Sequence, residues 1–425
     1  MSQHSRLIAL PVVAALAVTL AACSSTPSTS AHTAGAPEKT LTISTNQNDK
    51  TPLEPIIAAF EKKYPKIKVT LTAAETTTYQ TTLQTQLSAN NGPDVFYTYP
   101  GAGNPAGESL LAEAGYLKDL SNQPFVKQLP KGIRPLAEYK GKVYVRPMTV
   151  GGIGMIFNMQ ALQKAGLKVP TTFSSVLQLC SDAEAKGKVA FALGAATPSN
   201  TQLIDYALIP TLVYAKDPNF NTEMSKGKAT FAGSAGWKKA MDMNVQMLKA
   251  GCFEKDPTGV QYPDAAKMVA AGDALAIVQT QGAIAQLQLD NPSGDFRMKA
   301  FPATDQPKDT YLASSIGSEY AINAHAKDPN AAQLFLDFLS TPDQQNTYAK
   351  NSNSVPAIPN AKSSIPASIA VIGEYQKANK TFGYPDQYWP NAQVQQAHLT
   401  GMQEVLSGQS APQQVLKSMD TAYKG

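Results

Sequence analysis

The side chains in this chain best placed to act on another molecule are rings. Tyr97 and Tyr99 end a short apolar strand beside Pro100-Gly101, and Tyr384, Tyr388 and Trp389 crowd a proline-rich loop. A large ring in a loop offers a ligand an apolar face and a polar tip, which is the chemistry of adhesion. Tyr97, inside the alternation of its strand, reads as core, whereas Trp389, preceded by FGYPDQY, reads as facing a cleft. Trp237 sits on a helical apolar stripe and reads as structural. Signatures of bond-breaking chemistry are missing: there is no G-x-S-x-G elbow, no Walker A loop and no H-E-x-x-H. Beyond residue 22 the histidines are His32, His325 and His398, too scattered to suggest a metal site. Gly151-Gly152-Ile153-Gly154 lacks the last glycine of a dinucleotide fingerprint and enters a strand, so no cofactor is expected. Asp and Glu total 32, so a glycosidase-type carboxylate pair stays open, although no pair stands out.

The N-terminus sets the compartment. A polar head carrying Arg6, an apolar run over 7–20 and small residues before Cys23 have the layout of a secretory signal. Leu20-Ala21-Ala22-Cys23 resembles a bacterial lipobox, which implies that residues 1–22 are removed and that Cys23 is acylated. Acyl chains hold a protein at a membrane by burying about 0.8 kcal/mol per CH2. The apolar run is itself too short for a span of about 20 residues. Residues 23–38, rich in Ser, Thr and Ala, cannot repay an ordering cost and read as a flexible tether. The expected location is extracytoplasmic, lipid-anchored to the cell membrane.

Some 400 residues remain after the signal, enough for two lobes. Hydrophobic residues make up 43%, so real cores are possible, while charged residues reach only 16% against about 25% for an average protein. The surface must lean on Asn, Gln, Ser and Thr. A net charge of +4, spread evenly, gives no reason to expect nucleic acid as a partner. With Cys23 given to the anchor, Cys180 and Cys252 form an even pair in an oxidising space and are expected to bridge, independent buried thiols being the alternative.

Positioning falls to alternating strands and helices. Leu41 and Ile43 alternate as a strand, Leu53, Ile56, Ile57 and Phe60 recur at helical spacing, and Ile67, Val69 and Leu71 alternate again, a β-α-β unit with parallel strands. A helix over 79–89 and an apolar strand over 95–99 follow. EYKGKVYV reads as a hairpin that Arg146-Pro147 breaks before a glycine-rich strand over 150–157. Helices are expected over 172–186, 202–214, 234–250 and 330–339, and over 392–423 with a break at 408–412. Strands are expected over 189–193, 274–279, 296–301 and 319–323, so both halves of the chain are α/β.

The ordered set FEKKYPKIKV, YQTTLQTQLSANNGPDVF, LLAEAGYLKDL, YKGKVYVRP, MIFNMQALQKAGLKVPTTFSSVL, DAAKMVAAGDALAIV, AAQLFLDFLSTPDQQ and WPNAQVQQAHLTGMQEVLSG is similar to the family 1 extracellular solute-binding proteins of carbohydrate ABC importers. The resemblance covers nearly all of the mature chain. It implies a type II periplasmic-binding-protein-like α/β fold: two lobes, hinge crossings, and a ligand that closes the cleft between them. The expected organisation is lobe 1 over 39–150 and 314–357, and lobe 2 over 151–313 and 358–425. Crossings are expected near 147–152, 314–319 and 355–359. Ligand contacts implied by the resemblance are Asn46, Gln47 and Asn48 after the first strand, Glu75 after the second and Tyr99 after the third. Gly151, Gln281, Glu319, Tyr388 and Trp389 follow from the crossings and neighbouring loops. Many relatives carry a tryptophan in the loop that here reads Gln279-Thr280-Gln281-Gly282, and maltose-binding protein has an acidic residue where Gly151 stands, so a maltodextrin-type site is not implied.

The expected protein is a monomeric, non-enzymatic receptor that captures a sugar or oligosaccharide and hands it to the transmembrane subunits of an ABC permease. Asn and Gln suit hydroxyl-rich ligands because each donates and accepts at once. The alternatives are another polar solute (a polyol, a glycerophosphodiester or a peptide) or a secreted polysaccharide-active enzyme.

Overall fold

A computed structural model describes residues 39–130 and 133–425. The signal segment and Cys23 lie outside the described residues. The first strand, β1 (Lys39–Asn46), runs parallel to β2 (Ile67–Ala74) and to β3 (Val95–Thr98), as the β-α-β reading expects. The connecting helix Gln47–Lys63 buries Leu53, Ile56, Ile57 and Phe60 and ends at Tyr64, just before Pro65. The long strand β4 (Val145–Asn158) follows, then β5 (Val189–Ala192), β6 (Ala274–Thr280), β7 (Phe296–Lys299) and β8 (Leu312–Ile322). They form one sheet of ten strands in the order β2-β1-β3-β8-β4-β6-β5, with β7 and two short segments, Val355–Pro356 and Thr381–Phe382, on its margins.

Two cores share this sheet. One gathers Leu41, Phe60, Phe96, Met148, Tyr320 and Phe335. The other gathers Phe157, Phe191, Trp237, Trp389 and Met402, with Ile156, Ile277, Leu287 and Ile372 forming a companion cluster. The strands β4 and β8 pass from one core to the other: Val145 and Met148 belong to the first and Ile153 to Phe157 to the second, while Ile316 and Tyr320 belong to the first and Ala313 to the second. This is a two-lobed α/β architecture in which the connecting strands are also part of the sheet.

Both connecting strands are longer than expected. Arg146-Pro147 reads as a break, yet β4 runs through it, because Pro147 sits opposite Glu319 next to a register shift where a missing N–H costs little. Arg146 is wholly buried on the face of Phe125, with Nε donating to Ser340 Oγ at 2.9 Å, and burial pushes its guanidinium down to about 9. Likewise β8 begins at Leu312, its polar Ser314-to-Ser318 stretch disguising a strand. The helix over 202–214 is α from Leu203 to Ile209 and continues through Pro210 as a π turn to Tyr214. Cys180, on the helix Phe173–Glu184, is bonded to Cys252, which follows the helix Ala235–Lys249.

Candidate functional site

A cleft of about 600 Å³ opens where the two cores meet. Its position follows from topology. In parallel α/β layers the strand ends and the helix N-termini converge at the carboxyl edge of the sheet, where ligands bind. Asn46 ends β1 and Gln47 to Asp49 follow it, Glu75 follows β2, and Thr98 ends β3 with Tyr99 and Pro100 after it; all line the cleft. The opposite wall comes from residues within 197–206, 261–263 and 279–286 together with Tyr384, Asp386, Gln387 and Gln395, and Ile316 to Glu319 form the back.

Two of the expected contacts are held by helix capping. Asn46 Oδ1 accepts from Asn48 N at 3.0 Å and from Asp49 N at 3.2 Å, capping the helix that begins at Gln47. Glu75 Oε2 accepts from Thr77 N at 2.9 Å and Thr78 N at 3.3 Å, capping the helix Thr76–Ser88. In each case one polar atom is spent on the cap, which fixes the direction of the other.

Electrostatically the wall is one-sided. Its ionisable acids are Asp49, Glu75, Glu319 and Asp386, and among the described residues that line it there is no Lys, Arg or His. Asp49 accepts from Ser318 Oγ at 2.7 Å and from the Tyr348 hydroxyl, but burial outweighs these bonds and raises its pKa. Glu319 Oε1 accepts from Thr98 Oγ1 at 2.9 Å; burial, then the Glu108 carboxyl, push Glu319 well above the usual range, favouring its protonated form. Burial likewise takes Asp386 up to about 6. Glu319 Oε2, Asp386 Oδ1 and the buried hydroxyls of Tyr99, Tyr206 and Tyr262 have no partner in hydrogen-bonding geometry. Buried polar atoms of this kind are costly unless something else satisfies them.

Of the residues singled out in the sequence, Asn46, Gln47, Asn48, Glu75, Tyr99, Gln281 and Glu319 line the cleft. Gly151, Tyr388 and Trp389 do not. Trp389 is 2% exposed and lies in the second core, with ring centroids 5.9 Å from Phe231, 6.1 Å from Tyr206 and 6.3 Å from Trp237. The ring also lies 6.2 Å from His398 on the helix Ala392–Leu406, so it turns inward where an open platform was expected, while Tyr384, Asp386 and Gln387 of the same loop line the cleft. Tyr388 is 38% exposed and packs edge-on against Tyr214. A Cβ on Gly151 would sit 2.1 Å from Gln281 Oε1, so the Gln281 amide covers that position. Tyr97 is buried in the core as read, and its hydroxyl, donating to Gly317 O at 2.7 Å, reaches the cleft wall. Tyr206, Tyr262, Gln279, Asp386 and Gln395 complete the site without having been read from the sequence. Tyr206 and Tyr262 sit in helices whose apolar neighbours hide them, and only the three-dimensional convergence singles them out.

The fold and this cleft define a class: a bacterial extracellular solute-binding protein. The model of that family matches residues 44–346, and the chain belongs to it. It is 24% identical over 404 residues to the melibiose/raffinose/stachyose-binding protein MelE of Bacillus subtilis, covering 91% of this chain and 90% of that one. It is also 24% identical over 373 residues to a maltooligosaccharide ABC transporter solute-binding lipoprotein of Streptococcus pneumoniae, covering 83% and 81%. Among solved structures it is similar to a sugar transporter from Bacillus licheniformis in complex with stachyose, with a TM-score of 0.73, 20% identity, and coverage of 90% and 98%. These relatives are binding and transport proteins by description.

Proposed function

We propose that this protein is the receptor of an ABC importer for a short, uncharged oligosaccharide, which it binds in the cleft without chemical change and passes to the permease. The observation that carries this reading is the wall itself: amides, tyrosines and carboxyl groups in a space within the usual 300–1,000 Å³ range of ligand pockets, with no cation among the described residues that line it. Sugar hydroxyls donate to carboxylates and exchange bonds with amides, and the half-buried rings of Tyr99 and Tyr262 offer surfaces for the apolar faces of pyranoses. An anionic solute would be placed beside Asp49, Glu75 and Asp386, with Glu319 favouring its neutral form and no compensating cation among the described residues of the wall. The sugars named for the relatives support the same class.

The receptor hangs from the outer face of the cell membrane by lipid on Cys23 and acts as a monomer. The described residues contain no helix long and apolar enough to cross a membrane, and the lipobox-like Leu20-Ala21-Ala22-Cys23 supports attachment through the anchor. Metabolic labelling with a fatty acid tests this: the wild-type chain should incorporate label and Cys23→Ser should not, and label in the variant would overturn the anchor. Binding is tested by calorimetry against neutral oligosaccharides, with unchanged sugar recovered afterwards; turnover of the sugar by pure protein would overturn the receptor reading in favour of an enzyme.

A further inference from the structure

Three segments cross between the cores side by side in the sheet. Ser315 pairs with Gly151 and Ser318 with Thr149, across a register shift that leaves Gly317 as a bulge, while Val355 pairs with Val150 from the other edge of β4. One side chain is bonded to two of the crossings and lies beside the third. Gln281, at the end of β6, accepts from Gly152 N through Oε1 at 2.9 Å, and its Nε2 donates to Ser354 Oγ at 2.9 Å. The same Nε2 lies 3.3 Å from where a Cβ on Gly317 would be. The side chain is 5% exposed, and its backbone N–H also bonds to Gly152 O at 3.1 Å. Gly151 and Gly317 leave the room that this amide fills: a Cβ at 151 would meet Oε1 at 2.1 Å.

We infer that Gln281 is a positioning residue for closure: its amide ties two of the crossings together beside the third and sets the angle at which the two walls of the cleft meet. Both of its polar atoms already have protein partners, so a ligand touching it meets a group whose orientation the hinge dictates. Preorganisation of this kind improves affinity by lowering the cost of ordering, with no added contact. The inference rests on the receptor reading for its affinity arm only; its structural arm needs no ligand.

The test is the distance distribution between spin labels, carried on noncanonical residues at Lys62 and Asp290, measured by pulsed electron resonance on the ligand-free mature protein with its disulfide intact. Gln281→Ala should broaden the distribution relative to the parent. Gly151→Ala, which displaces the flexible end of Gln281, and Ser354→Ala, which removes the acceptor of Nε2 at a residue away from the cleft wall, should broaden it in the same way. Each should also weaken binding of whichever neutral oligosaccharide the parent binds, by up to roughly tenfold, the size of one lost hydrogen bond. Gln281→Glu, which keeps the acceptor and loses the donor, should fall between parent and Gln281→Ala. Unchanged distributions in all of these folded variants would overturn the inference, whatever the affinities. If no neutral oligosaccharide binds the parent, the receptor reading fails while the distance arm still decides the role of Gln281.

Discussion

Tyr206 and Trp389 meet edge to face, ring centroids 6.1 Å apart and planes at 85°, with Tyr206 on the cleft wall and Trp389 behind it in the core. Tyr206 is therefore part of the cleft wall although as buried as Trp389, and the tryptophan is its support. Trp389→Ala should lower stability by about 3–5 kcal/mol, the usual cost of emptying a core site of a large aromatic. Tyr206→Phe removes only a buried hydroxyl with no partner in hydrogen-bonding geometry, so it should leave stability within about 1 kcal/mol of the parent and weaken sugar binding severalfold. Denaturant melts and calorimetry on the two variants distinguish these roles; a stable Trp389→Ala with greatly weakened binding would reverse them.

The Cys180–Cys252 bond closes a loop of 72 residues within the second core. On the chain-entropy account its loss should cost roughly 4 kcal/mol, drawn mainly from the unfolded state. The double variant Cys180→Ala/Cys252→Ala should therefore unfold at lower denaturant while its folded fraction still binds ligand. Two alkylatable thiols in unreduced, denatured parent protein would remove the premise.

Asp386 supplies the pH dependence. With its folded value near 6, the ligand-free protein holds an extra proton between about pH 4 and 6, so this group's contribution to stability declines as pH rises through that window. Binding runs the other way. An ionised carboxylate accepts from two hydroxyls, whereas a protonated one must donate through one oxygen. Affinity should fall as pH drops from 7 to 5, by no more than tenfold per pH unit, with proton release on binding below pH 7. Calorimetry in two buffers of different ionisation enthalpy measures both; affinity that stays flat across pH 5–8, in the parent as in Asp386→Asn, would rule Asp386 out as an acceptor.

The sequence made the lobes legible and hid part of the cleft, for physical reasons. Strand and helix periods are local, so the β-α-β start around Leu41, Phe60 and Val69 and the amphipathic helices could be read directly. Loops after strand ends are where an α/β sheet presents a ligand site, and Asn46, Glu75 and Tyr99 were found through that regularity as carried by the family resemblance. Trp389 was misplaced because ring-rich loops can fold inward as readily as outward, and composition does not say which. Arg146-Pro147 and the Ser314-to-Ser318 stretch look like breaks because their polarity and missing N–H are compensated by partners distant in sequence, Phe125 and Ser340 for the arginine and Asp49 for Ser318. Gln281 offered no signal of its double attachment, since Gly152 and Ser354 lie 129 and 73 residues away.

That the cleft takes an uncharged sugar is tested most directly by the unfolding temperature of the mature protein against a panel of neutral oligosaccharides and their uronate or phosphate counterparts. At a hundred times its dissociation constant a ligand adds about 2.7 kcal/mol of stability. At least one neutral member should raise the melting temperature, and its anionic counterpart should bind at least a hundredfold more weakly, because a like charge at this wall costs several kcal/mol. A panel in which no neutral sugar shifts the melt while an anionic solute does would rule out an uncharged-sugar site.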